Sequence, residues 1–187
     1  MEYVVPIKEL EKINKMKEIL ERSSRRDYTL FVIGINTGIN AQDLLSLKVE
    51  EVWDGNQPKE FLFLRDEKSK GLKGHYLNSR VQEALQNYLP YSQLKAGDYL
   101  FKSKKNDKPI TRQQAYRIIN HAAKAAGIEE KIGTHTMRKT FGYHAYQKGV
   151  AISILMSIFH HNSRKETLKY IGISEEEKKL VKVDVNL

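Results

Sequence analysis

His135 and Arg138 stand three residues apart in GTHTMRKTFGYHAYQKG, residues 133–149. On a helix, side chains at i and i+3 are neighbours, so the two could grip one oxyanion together. So short a pairing also fits a surface arginine beside a histidine near a helix start. A second cluster sharpens the reading: in IFHHNSRKETLKYIGI, residues 158–173, His161 precedes Tyr170 by nine residues. A tyrosine is a poor nucleophile, with a phenol pKa of about 10. It becomes useful when a base takes its proton and fixed cations absorb the charge. Phosphodiester cleavage is such a case. The phosphate gains negative charge in its pentavalent transition state, and Arg and His donors aimed at the non-bridging oxygens supply the main acceleration. The leaving 5′-oxygen also needs an acid. The turn DEKSKGLKG, residues 66–74, holds Lys68, Lys70 and Lys73 for that role, although lysines on an exposed turn equally serve solubility.

The elements that must position these groups are mostly helical. Leu10, Ile13, Met16 or Lys17, and Leu20 recur at helical spacing over 7–21, and a second helical pattern covers 27–36 after the basic SSRR. A turn at Thr37 and Gly38 leads into a short helix over 41–47, with Asn40 as its N-cap. KEFLFLRDEKSKGLKGHYLN, residues 59–78, reads as two strands joined by the lysine-rich turn, with Trp53 beside it as hairpin core. Further helices are expected over 79–89, over 112–126 with a Thr111/Gln114 capping box and Gly127 as its stop, and over 136–148 before Gly149. Ser163 with Glu166 opens a short helix to Tyr170, and Ser174 with Glu177 opens a C-terminal one. KSKKNDK, residues 102–108, is a loop. The fold class is therefore mainly α with a small antiparallel β-sheet, an α+β domain spanning 1–187.

Composition limits what this domain can do. The 187 residues carry a net charge of +9, which favours a polyanionic partner, DNA, RNA or an anionic membrane surface, with nucleic acid the first candidate. There is no cysteine, so neither a disulfide framework nor a cysteine zinc site can form. His160 beside His161 suggests a metal pair, but no carboxylate at ligand spacing supports it. No metal and no cofactor is expected, since phosphoryl transfer to tyrosine needs neither. No stretch approaches the about 20 apolar residues of a membrane span, and the start, MEYVVPIKELEK, is charged too soon for a secretory signal. The expectation is a cytoplasmic protein with no membrane partner.

With these residues in view, the chain resembles the catalytic domain of the tyrosine recombinase, or phage integrase, family, and its short members that lack a separate N-terminal core-binding domain. The resemblance runs from YVVPIKELEKI through RDYTLFVIGINTGI, the hairpin, PITRQQAYRIINHAAKAAGI, GTHTMRKTFGYHAYQ and HHNSRKETLKYIGI. It implies a DNA breaking and rejoining fold that acts through a 3′-phosphotyrosyl intermediate. Tyr170 is then the nucleophile, Arg138 the second phosphate-binding arginine, His135 the first histidine, His161 the second, and Lys68 the general acid. It implies recombination within a tetramer on DNA, from a protein that is monomeric when free. The C-terminal segment 171–187, with apolar Leu180, Val181, Val183, Val185 and Leu187, would pack on a neighbouring protomer or dock in cis.

One position departs from the family. Asn40 stands where the first catalytic arginine belongs, although the following acid is kept as Asp43. Asparagine has neither the charge nor the fork of a guanidinium, so catalysis should suffer. Three explanations follow: a helix cap that has lost the catalytic role, compensation by Arg22, Arg25, Arg26 or Arg112, or a protein that retains DNA binding alone. A type IB topoisomerase is a further reading of the same residue set. Arg112, Arg117, Lys70 and Lys139 are the candidate DNA-binding residues, and a solvated helix face is the plain alternative for Gln113, Tyr116 and the two arginines.

Overall fold

The computed structural model describes residues 3–180, 185 and 186. The chain runs through α1 (Leu10–Ser23), α2 (Arg25–Thr37), α3 (Ala41–Leu45), α4 (Val49–Val52), β1 (Phe61–Arg65), β2 (Leu72–Tyr76), α5 (Ser79–Tyr88), α6 (Arg112–Ala125), α7 (Thr134–Gln147), α8 (Ile152–Phe159), α9 (Arg164–Tyr170) and α10 (Glu175–Lys179). Only Ser24 separates α1 from α2, and its hydroxyl accepts from the Asp27 N–H to cap the second helix. α1 buries Ile13, Met16 and Leu20, whereas Leu10 is exposed. α2 buries every residue from Thr29 to Gly34. A helix apolar on all sides belongs at the centre of a core, and α1, α5 and α7 all pack on it.

β1 and β2 pair antiparallel from Phe61 opposite Tyr76 to Arg65 opposite Leu72, and the Asp66 N–H closes the turn on the Gly71 carbonyl. Leu62 faces the core, while Phe61, Phe63, Leu72 and Tyr76 line the exposed face. Trp53 is half-buried and packs against the main core.

Two apolar clusters divide the interior. The larger is built on α1, α2, α5 and α6. The smaller holds Leu155, Phe159, Leu168, Ile171 and Ile173, with Phe141, Tyr143 and Tyr170 against it. α7 serves both, since Met137 faces the first and Phe141 the second. Its start lies two residues earlier than the sequence pattern suggests, because the Thr136 hydroxyl accepts from the Gly133 N–H. α8 and the single-turn α4 are absent from the sequence reading. α8 has no side-chain cap and almost no polar residue to mark its phase.

The C-terminal segment docks in cis as far as α10. Ile171 and Ile173 are buried, and the Glu177 carboxylate accepts from the Ser174 N–H, the Tyr143 hydroxyl and the Lys8 ammonium. Burial would raise the pKa of Glu177, but these bonds outweigh it and hold the group down to about 2. Leu180 and Val185 are exposed. Val181, Val183 and Leu187 lie outside the described residues.

Glycine is required where α7 meets the smaller cluster. A Cβ on Gly142 would lie 2.4 Å from Ile171 Cγ2 and 2.8 Å from Phe159 Cζ. Ile171 directly follows Tyr170, so this contact also sets where the tyrosine sits. Overpacking of this kind costs about 1–3 kcal/mol. Gly142→Ala is expected to lower stability by that amount in denaturant titration, whereas the exposed Gly97, with open space around its Cα, should tolerate alanine with little change.

Candidate active site

Arg138 is the centre of the site. It projects from α7, its Nη2 donates to the Ile158 carbonyl at 3.0 Å, and its guanidinium lies 5.0 Å from the Phe159 ring centroid. Its Nε is sealed from solvent without a hydrogen-bond partner. Burial pushes the arginine pKa down, while Tyr170 and Asp43 favour the charged form. A buried donor of this kind normally has a partner, and an arriving anion would supply one.

Tyr170 closes α9. Its ring packs on Phe159 at 5.2 Å and lies edge-on to His161 at 4.9 Å. Burial pushes the phenol pKa up and Arg138 pulls the other way, so the hydroxyl stays protonated at neutral pH and needs a base. His161 Nδ1 lies 2.9 Å from the Thr167 hydroxyl, which in turn donates to the Ser163 carbonyl. That chain places the imidazole proton on Nδ1 and leaves Nε2 as an acceptor. Burial keeps the His161 pKa below its ordinary value, with Glu166 opposing and Arg138, Lys68 and His160 assisting, so the ring is neutral.

His135, in the first turn of α7, meets Arg112 from the first turn of α6: Arg112 Nη2 is 2.9 Å from His135 Nε2, and Arg112 Nε donates to the Thr134 hydroxyl at 3.3 Å. Burial and then the Arg112 charge lower the His135 pKa, with Lys139 and Arg138 adding to it.

The hairpin reaches the same place. Lys68 Nζ donates to the His160 carbonyl at 3.3 Å, and Lys73 Nζ donates to the Ser157 carbonyl at 2.7 Å and to its hydroxyl at 3.1 Å. Both bonds tie the sheet to the end of α8. Lys73 lines a narrow cleft of about 30 Å³ with Asn40, Asp43, Asp66, His75 and Arg138. Burial lowers the Lys73 pKa, and Arg138 and Lys68 act in the same direction. His75 and Asp66 were not singled out from sequence. Period-two alternation puts His75 on the face of β2 that carries Lys73, which is the signal that could have found it.

Asn40 is the N-cap of α3. Its Oδ1 accepts from the Asp43 N–H and its Nδ2 donates to Asp43 Oδ2, both at 2.8 Å. The side chain is thus turned onto its own helix. Among the arginines considered as substitutes, Arg25 stacks on Tyr91 and Arg26 bonds Asp27 and the Lys102 carbonyl. Arg112 alone touches a candidate catalytic side chain among the described residues.

The three other candidate DNA contacts have different surroundings. Lys139 is buried: its Nζ donates to the Val4 carbonyl at 2.8 Å and lies between the rings of Tyr3 and Tyr170. Lys139 directly follows Arg138 on α7 and is turned to the interior beside Tyr170. Arg117 lines a different flank of α6, with Arg26, Lys104, Lys105 and Ile118. Lys70 stands at the hairpin tip with φ 55°. Among the described residues, no three His, Asp or Glu side chains converge as a metal site, and no helix is long and apolar enough to cross a membrane.

Comparison with known proteins now bears on this geometry. The phage integrase family matches residues 4–177. A protein of Bacillus subtilis (strain 168) described as a probable integrase/recombinase, YoeC, is 43% identical over 176 residues, which cover 94% of this chain and 93% of that one. A tyrosine recombinase of Pseudothermotoga lettingae is 30% identical over 169 residues, and there the match spans only 56% of the relative's length. Among solved structures, the XerA recombinase superposes with a TM-score of 0.77 at 22% identity, over 96% of this chain and 63% of that one. The catalytic domain of bacteriophage HP1 integrase gives 0.64 at 21%, over 95% and 92%. At these identities the superpositions speak for the fold alone. Together with the family match, they place the chain, over nearly its whole length, in the phage integrase family of tyrosine recombinases.

Proposed function

We propose that the protein is a site-specific DNA recombinase that cleaves and rejoins strands through a 3′-phosphotyrosyl intermediate, in the service of a phage or mobile element. The Tyr170 oxygen bonds to phosphorus, the bond from phosphorus to the 5′-oxygen breaks, and the strand leaves with a free 5′-hydroxyl. His161 Nε2 takes the phenol proton, and Lys68 returns a proton to the leaving oxygen, with Lys73 close by to hold the hairpin in place. Arg138 and His135 hold the phosphate. The observation that carries this reading is Arg138, a guanidinium with one sealed, unpartnered N–H, on the same cluster as a tyrosine that needs a base and a neutral histidine beside it.

The working assembly is a tetramer on double-stranded DNA formed from cytoplasmic monomers. A second reading, DNA binding without chemistry, is favoured by one observation: Asn40 Oδ1 and one Nδ2 N–H are committed to Asp43, and the uncharged N–H that is left cannot stand in for a guanidinium. Exchange between two sites separates a recombinase from a type IB topoisomerase.

Covalent trapping on nicked DNA from the flanks of the encoding element tests the proposal. The unaltered protein should form the adduct slowly, and Asn40→Arg should accelerate it at least about tenfold, since one transition-state donor is worth on the order of 10²–10³ in rate. Loss of the α3 cap costs Asn40→Arg about 1 kcal/mol of stability, so melting is measured alongside. Tyr170→Phe should form none, and an adduct in that variant would refute the assignment.

The histidines give a pH signature. His75, His135 and His161 all have folded pKa values below the ordinary one of about 6.5. Below that pH the unfolded chain takes up protons first. Their contribution to stability is therefore complete above pH about 6.5 and lost as pH falls through the folded values. The acid limb of adduct formation should likewise lie below about 6.5, and a limb above it would exclude a buried neutral histidine as the base.

A further inference from the structure

We propose that Arg112, on the first turn of α6, binds the scissile phosphate and supplies from a different element the guanidinium contact that Asn40 cannot. The inference rests on the recombinase reading and adds a catalytic residue to it. An arginine has only donors, so in its bond with Arg112 the His135 Nε2 is the acceptor and its proton sits on Nδ1. A phosphate gripped by His135 through Nε2 meets that bond. A phosphate oxygen arriving there comes within hydrogen-bond reach of Arg112 Nη2, 2.9 Å away. His135 then donates once it is protonated or changes tautomer, and the guanidinium turns from the ring onto the anion.

Placement of the side chain does not depend on the ligand. Arg112 Nε is held by the Thr134 hydroxyl, and the start of α6 is fixed by the reciprocal Thr111 and Gln114 capping bonds. A group held in this way meets its ligand with little reorganisation. Burial depresses the His135 pKa most, followed by the charges of Arg112, Lys139 and Arg138, so the imidazole lies in the field of three cations. Among the described residues no carboxylate pairs with Arg112, and its charge remains available to an anion. Lysine could carry that charge but not the planar fork.

Two readouts on the full chain test the proposal. In the first, inorganic phosphate is titrated and followed by the His135 ring signal in NMR. Arg112→Ala should weaken binding about tenfold or more, Arg112→Lys less, and Lys124→Ala, on the last turn of the same helix, not at all. In the second, adduct formation on nicked flanking DNA is compared in two backgrounds. Arg112→Ala should slow the unaltered protein on the order of 10²-fold, and should slow the Asn40→Arg protein less than about tenfold, because the restored arginine takes over the role. Arg112→Gln provides the same comparisons if the alanine variant fails to fold. Unchanged phosphate affinity, or an equal loss in both backgrounds, would overturn the proposal. If no variant forms an adduct yet phosphate binding still depends on Arg112, the covalent reading fails while the anion contact stands.

Discussion

A half-buried guanidinium without a complete set of partners is the constraint on which this domain is organised. Arg138 keeps one bond to the Ile158 carbonyl and packs on Phe159, and its Nε has none. Removing a charged donor from water costs several kcal/mol unless something accepts from it. The fold bears that cost because the ring of Phe159, the field of Asp43 and the phenol of Tyr170 surround the charge. Nothing on α7 itself satisfies it. That N–H is left to be paired from outside the helix.

The elements around Arg138 come from separate parts of the chain, and α7 joins them. Met137 anchors the helix in the main core against α2, and Phe141 and Gly142 anchor it in the smaller cluster that carries Tyr170. The hairpin reaches the same place through Lys68 and Lys73, each bonded to backbone at the end of α8. His160, the C-cap of α8, adopts φ 59°, a left-handed conformation that reverses the chain between Phe159 and His161. That reversal lets two consecutive parts of the chain face the same tyrosine, Phe159 from one side and His161 from another. A lone HxxR pairing would have no such support. The constellation is specific because three elements converge on one guanidinium.

Much of this was legible in the sequence. The capping boxes at Thr111 and Ser174 and the Asn40 cap fell where the residue types put them, whereas at Ser163 the hydroxyl caps α9 but Glu166 accepts from the Asn162 N–H rather than from the Ser163 N–H to close a box. The nine-residue interval also brought His161 against Tyr170. What escaped had physical reasons. α8 is apolar along nearly its whole length and lacks a side-chain cap, so neither period nor boundary marked it. Lys139 looked like one more basic residue on a basic helix, but its angular position turns it into the interior, toward the Val4 carbonyl. The contact between Arg112 and His135 joins residues 23 positions apart on two helices, and no local pattern encodes it. Asn40 was readable as a cap, yet only the geometry reveals that Asp43 occupies both of its polar atoms.

The most direct test of the account is a crystal structure of the protein with a nicked DNA duplex and orthovanadate, which mimics the pentavalent phosphate. The account predicts vanadium bonded to the Tyr170 oxygen, with Arg138 Nε turned from an orphan donor into a hydrogen bond to a vanadate oxygen. Vanadate bound elsewhere, with Arg138 Nε still unpartnered and Tyr170 still packed on Phe159, would contradict it.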